Sequence, residues 1–123
     1  MTIDANILVA YLDNEKVVIE KLSEWRRERR PLFLSAVAEA EVLSFPLWTP
    51  SEKAAVEKFL EEGFTPLAFD RTIARLAAAI RRDVNIKLPD AAIAATAIYT
   101  NTSLVTRNIR DFKKINGLSL LKI

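Results

Sequence analysis

The 123-residue sequence has no cysteine and no histidine. The first absence excludes disulfides, and the two together exclude Cys/His zinc sites. Without imidazole there is no serine or cysteine triad and no histidine general acid or base. Chemistry near neutral pH therefore falls to carboxylates, Lys, Arg, Ser, Thr or Tyr, and carboxylates are the natural ligands of hard Mg²⁺ or Mn²⁺. Long hydrophobic runs are also missing, since none approaches the ~20 residues that span a bilayer. The opening MTIDANILVAYLDNE has no basic leader, and Asp4 and Asn6 interrupt its apolar run, so it does not read as a signal sequence. The expectation is a soluble, cytoplasmic protein with no membrane association. Glycine is scarce too: Gly63 and Gly117 are the only two, both at points of punctuation. No linker, repeat or low-complexity segment divides the chain, so residues 1–123 are expected to form one domain.

Half of the residues are hydrophobic and 28% are charged, a balance that suits a globular chain rather than a disordered one. A net charge of +2 does not by itself announce nucleic acid. The distribution is more telling, because basic groups gather in WRRERR (25–30), at Arg81–Arg82 and in RNIRDFKK (107–114). The first two runs read as readily as solvated helix faces as they do as contacts to an anionic partner.

Apolar spacing and punctuation lay out an alternation of strands and helices. Met1–Ile3 is a short strand with Asp4 at its end, and 5–12 a short helix. A second helix, capped by Asn14 or Asp13, runs to about Arg29 with Val17, Val18, Leu22 and Trp25 on one face, and Pro31 stops it. PLFLS forms a strand ending near Ser35, and 36–43 is helical. Thr49-Pro50-Ser51-Glu52 starts the next helix with a capping threonine, proline at the first position and glutamate three residues on. That helix carries Val56, Phe59 and Leu60 and ends at Gly63. TPLAF (65–69) is a strand, Asp70 caps a helix to about Asp83, and a further helix covers 89–100. SLVT (103–106) and LSLLKI (118–123) complete the strands. With no hairpin signal anywhere, the alternation predicts an α/β domain whose mainly parallel central sheet is covered by helices on both faces.

In such sheets ligands bind beyond the carboxyl ends of the strands, so polar residues just after each strand are the candidates. Asp4 follows the first strand, and Asn108 and Asp111 follow SLVT. Asp90 opens KLPDAAIAATAI (87–98), a helix so apolar and small-sided that it must be buried nearly all round. Each acid has an ordinary explanation taken singly. Asp90 suits the helix dipole, Asp4 can cap the helix beginning at Ala5, and Asp111 can pair with Arg107 or Arg110. Glu39 and Glu41 can lie on the solvated side of a helix, and periodicity does not decide which of them points inward. Several acids converging on one sheet edge would repel each other as anions, and a divalent cation resolves that repulsion.

The pieces IDANILVAYL (3–12), LSAVAEAEVL (34–43), LAFDRTIARLAAAIRR (67–82), KLPDAAIAATAI (87–98) and LVTRNIRDF (104–112) together resemble the PIN domain. The closer resemblance is to the small VapC-like ribonuclease toxins of bacterial and archaeal toxin–antitoxin pairs. The last two pieces are the most specific. The resemblance implies a three-layer α/β/α fold and a Mg²⁺- or Mn²⁺-dependent endoribonuclease. Its acidic cluster would be Asp4, Glu41, Asp90 and Asp111, both metal-holding and catalytic. Glu41 is preferred over Glu39 because the family's glutamate lies six residues after the serine matched by Ser35. Thr106 and Asn108 match positions that support the site by hydrogen bonding. One departure is Ala5, where many relatives carry Thr or Ser.

Basic groups must draw the RNA backbone towards these acids, and Arg107, Arg110, Lys113 and Lys114 stand beside them in sequence. Toxins of this type are silenced by a small antitoxin protein whose C-terminal segment covers the active groove, and they commonly form homodimers. Phe45, Leu47 and Trp48 are candidate surface for such a partner. A housekeeping PIN ribonuclease without an antitoxin, or a PIN-like module that binds RNA or protein without cutting, are the alternatives. A phospho-receiver domain is excluded, because the paired acids at the first strand and a late lysine are missing.

Overall fold

A computed structural model describes all of residues 1–123. Five short strands form one sheet: β1 (Thr2–Ile3), β2 (Phe33–Ser35), β3 (Thr65–Leu67), β4 (Leu104–Val105) and β5 (Leu120–Leu121). The order is β3-β2-β1-β4-β5 and every neighbouring pair is parallel. Ile3, Leu34, Leu104 and Val105 are buried, the continuous apolar character expected of a parallel sheet covered on both faces. Pro66 lies within β3 and has no N–H to give a second neighbour, which fits its place at the sheet edge. All five strands are shorter than the sequence suggests, β5 most of all, since it comprises only Leu120–Leu121.

Seven helices cover the sheet in a three-layer α/β/α arrangement: α1 (Ala5–Leu12), α2 (Lys16–Arg27), α3 (Ala36–Leu43), α4 (Pro50–Gly63), α5 (Arg71–Asp83), α6 (Leu88–Thr100) and α7 (Ile109–Phe112). Side chains cap α4 and α5 as the sequence predicts, and Ser35 caps α3 in addition. Ser35 Oγ accepts from Val37 N–H at α3, Asp70 Oδ1 from Ile73 N–H at α5, and Thr49 and Glu52 form a reciprocal capping box at α4. The start of α2 differs from the expectation. Asp13 closes α1, Asn14 adopts a left-handed φ of 62° in the turn, and Glu15 precedes α2 without a capping bond. Reversing the chain between two helices takes both residues that were candidate caps. The same helix ends at Arg27, before Pro31 is reached, and Arg29 turns left-handed at φ 57°. The one-turn α7 was not anticipated, because four residues are too few to show a period.

The helix α6 is the centre of the structure. Seven consecutive residues, Ala91 to Ala97, are buried, and α6 contacts β1, β2, α3 and most extensively α5. Small side chains let its backbone lie close to its neighbours on every side. Because all strands run the same way, their carboxyl ends share one edge. The strand order reverses between β1 and β4, and Asp4 and Thr106 emerge there side by side. No helix is long and apolar enough to cross a membrane.

Candidate active site

Asp4 leaves β1 in an extended conformation and caps α1, where its Oδ1 accepts from Ala5 N–H at 2.7 Å. Only 5% of the residue is exposed. Its other oxygen is held from the neighbouring strand: Thr106, fully buried at the end of β4, donates to Asp4 Oδ2 at 2.7 Å. The Thr106 oxygen in turn accepts from Asn6 Nδ2 at 3.3 Å and from the Asn108 N–H at 3.0 Å. The Asn108 amide donates to Asp111 Oδ2 at 3.0 Å. One network thus joins the ends of β1 and β4 to the first turn of α7.

The remaining acids approach from other elements and register one another electrostatically. Burial pushes the Asp4 carboxyl above its usual range, and the Asp90 charge adds to this. The bonds from Thr106 and Ala5 oppose the rise. Glu41, near the end of α3, is raised by burial and then by the charges of Asp4 and Asp90. Asp90, in the first turn of α6, is raised by burial and then by the charge of Asp111, while Lys87 pulls it the other way. The couplings run Glu41–Asp4–Asp90–Asp111, so the structure brings together all four acids singled out in the sequence. As their side chains are placed, no three of them stand close enough together to hold a metal ion. The donor set is all oxygen and predominantly carboxylate, which suits a hard divalent cation.

Two cavities flank this chain of acids. A polar one of about 470 Å³ is lined by Lys87, Asp90, Asn108, Asp111 and Lys114, together with Asn85 and Ile86. An apolar one of about 440 Å³ includes Val9, Val42, Phe45 and Trp48, with Glu41 in its wall. Glu39 lines neither. The expected basic residues are distributed unevenly. Lys114 lines the polar cavity, but its Nζ donates to the Asn85 carbonyl at 2.6 Å. Arg107 turns away from the acids. Both its terminal nitrogens grip the Glu15 carboxylate, one at 3.0 Å, and its Nε donates to the Ile123 carbonyl at 3.2 Å. Arg110 and Lys113 are exposed and line neither cavity.

The sequence profile of the PIN domain matches residues 1–118. The chain belongs to the PIN domain family. A PIN relative named Ribonuclease VapC1, from Rickettsia felis, is 29% identical over 133 residues, which cover 100% of this chain and 96% of the relative. A solved toxin–antitoxin complex from Klebsiella pneumoniae superposes with a TM-score of 0.82 at 27% identity, covering 98% of this chain and 94% of that one. VapBC2 from Rickettsia felis, bound to a DNA fragment from their promoter, shares the fold. Its TM-score is 0.83 at 21% identity, covering 99% and 97% of the two chains.

Two residues beside these acids were not singled out from the sequence. Asn6 bridges the two strand ends: its amide donates to Thr106 and its Oδ1 accepts from the Arg107 N–H at 3.4 Å. Its signal was present in Asp-x-Asn, two residues past the strand-end acid. Lys87 brings a positive charge to Asp90, and its signal was its place directly before LPD.

Proposed function

We propose that the protein is a divalent-metal-dependent endoribonuclease, the toxin of a toxin–antitoxin pair. The observation that carries this reading is the electrostatic coupling of Glu41, Asp4, Asp90 and Asp111, brought from four separate elements to the switch point of the sheet. It is supported by relatives at 27% and 29% identity that are a toxin–antitoxin complex and a ribonuclease.

Asp4, Asp90 and Asp111 are the residues that would hold the cation, Mg²⁺ or Mn²⁺. Bound there, it would supply a water of lowered pKa and neutralise charge building on the phosphoryl oxygens. Thr106 and Asn108 fix the orientation of the Asp4 and Asp111 carboxylates, as hydrogen-bonded supports of ligands do. Glu41 stands in the wall of the neighbouring cavity with its proton affinity raised, and so suits the role of positioning or deprotonating the attacking water. Lys87, at the mouth of the polar cavity, offers charge to the phosphate.

The apolar cavity beside Glu41 gives the antitoxin its place. Phe45 and Leu47 are 49% and 76% exposed, and Trp48 packs edge-on against Phe45 with its indole N–H fixed to the Val42 carbonyl. An amphipathic antitoxin segment laid there brings a basic side chain within reach of the acids.

Cleavage of a mixed tRNA and rRNA pool in Mg²⁺ or Mn²⁺ tests the reading. Wild-type protein cuts, EDTA stops it, and Asp90→Asn lowers the rate by about 100-fold or more. Equal cutting by both proteins, or no cutting by either, would sink the nuclease reading.

A further inference from the structure

A third cavity, of about 430 Å³, opens beside the polar half of the site. Its walls include Ala74, Ala78 and Arg82 of α5, with Asn85 and Leu88 opposite. Asn85 and Ile86 line both cavities, so the two adjoin at the 84–87 connector. That connector is held from both sides by basic residues. Arg81 Nε donates to the Ile86 carbonyl at 3.1 Å, and Lys114 Nζ donates to the Asn85 carbonyl. The two cations therefore shape the passage, and Arg82 remains as the exposed guanidinium on it, with no ion-pair partner among the protein's six salt bridges.

A polyanion entering the acidic centre meets carboxylates, so its attraction must come from cations along its track. Arg107 is paired with Glu15 and does not fill this need. Arg82 does, and its fork of donors matches phosphate oxygens. Ala78 and Ala74 line the same cavity one and two turns before Arg82 on α5, and Leu88, 47% exposed, lines it from the start of α6. A guanidinium on a groove beside the acids attracts the phosphate backbone of a nucleic acid without reading its sequence.

We infer that the groove between α5 and the start of α6 carries the single-stranded RNA that flanks the scissile phosphodiester, with Arg82 binding a phosphate of that flank. This rests on the ribonuclease reading and adds the path of the substrate. Arg81 and Lys114 are positioning residues that hold the connector open as the floor of the track.

The test uses fluorescently labelled single-stranded RNA and the full chain carrying Asp90→Asn, so that binding is read without cleavage. Adding Arg82→Ala raises Kd roughly 3- to 10-fold and lowers the slope of log Kd against log salt by about one. Arg71→Ala removes the same charge from the far end of the same helix, outside the groove, and leaves both values unchanged. In the cleaving protein Arg82→Ala raises KM while kcat holds near wild type. If RNA binds and Arg82→Ala behaves as Arg71→Ala does, the track is wrong while the nuclease reading stands. Absence of any RNA binding by the unsubstituted chain overturns both.

Discussion

Thr106 Oγ1 takes part in three hydrogen bonds, donating to Asp4 and accepting from the Asn6 side chain and the Asn108 N–H. The first of these satisfies a buried carboxylate, and a buried anion without a partner costs more than the bond itself contributes. Thr106→Val keeps the shape and removes the donor. The expected outcome is a loss of about 2 kcal/mol in urea unfolding, the scale of a hydrogen bond to a charged group. RNA cleavage should fall about 10- to 100-fold, since Asp4 Oδ2 then loses its support while Oδ1 stays bound to Ala5 N–H. Stability unchanged from wild type would show that water replaces the hydroxyl. Glu41 illustrates the opposite situation at this scale: it has no hydrogen bond to a protein partner, only the repulsion of Asp4 and Asp90.

Among the elements, α4 shows how strongly local chemistry fixes a boundary. Pro50 opens it, Thr49 Oγ1 accepts from Glu52 N–H at 3.1 Å, and Glu52 Oε1 accepts from Thr49 N–H at 3.0 Å. Thr49→Ala removes half of the box and should cost about 1 kcal/mol of unfolding free energy, with kcat for RNA unchanged because the box touches neither cavity wall. A fall in kcat at full stability would mean that α4 shapes the site. The contrast is α6, where no side chain caps the start and the helix depends on being enclosed. Its first turn carries Asp90, so the element most deeply packed in the protein is also the one that fixes a site carboxylate against the sheet.

Across the whole molecule, the acidic cluster works against the fold that assembles it. Asp4, Glu41 and Asp90 all have raised proton affinity in the folded state, so folding takes up protons as these groups titrate. Their contribution to stability is therefore fully present below the ordinary carboxylate pKa of about 4 and is lost as pH rises through the higher folded values. In EDTA at about pH 7, Asp90→Asn should melt above wild type, and the difference should vanish towards about pH 4. Adding Mg²⁺ or Mn²⁺ should raise the wild-type Tm more than that of Asp90→Asn, since a ligand stabilises the state that binds it. Melting scans across this pH range check both effects. Wild type melting above the variant at neutral pH in EDTA would show that Asp90 is compensated within the protein.

What the sequence by itself determined is what short-range chemistry decides. The alternation of strands and helices, the caps at Thr49 and Asp70, and the enclosed helix opening at Asp90 all follow from side-chain spacing or from groups within three residues of each other. A parallel sheet then places every strand-end acid on one edge, so Asp4 and Asp111 were legible before any contact was known. Tertiary structure alone decided the rest. Glu41 comes under the charges of Asp4 and Asp90 because of how α3 lies against α1 and α6, an orientation that the small apolar neighbours of both glutamates leave open. Arg107 was drawn out of the site by Glu15, 92 positions earlier, while Lys114 stays in the cavity wall but is tied to the Asn85 carbonyl, 29 positions earlier. A cation's partner is chosen by proximity in space, and chain order does not encode that proximity; this is why the acids could be read along the sequence and the basic track could not.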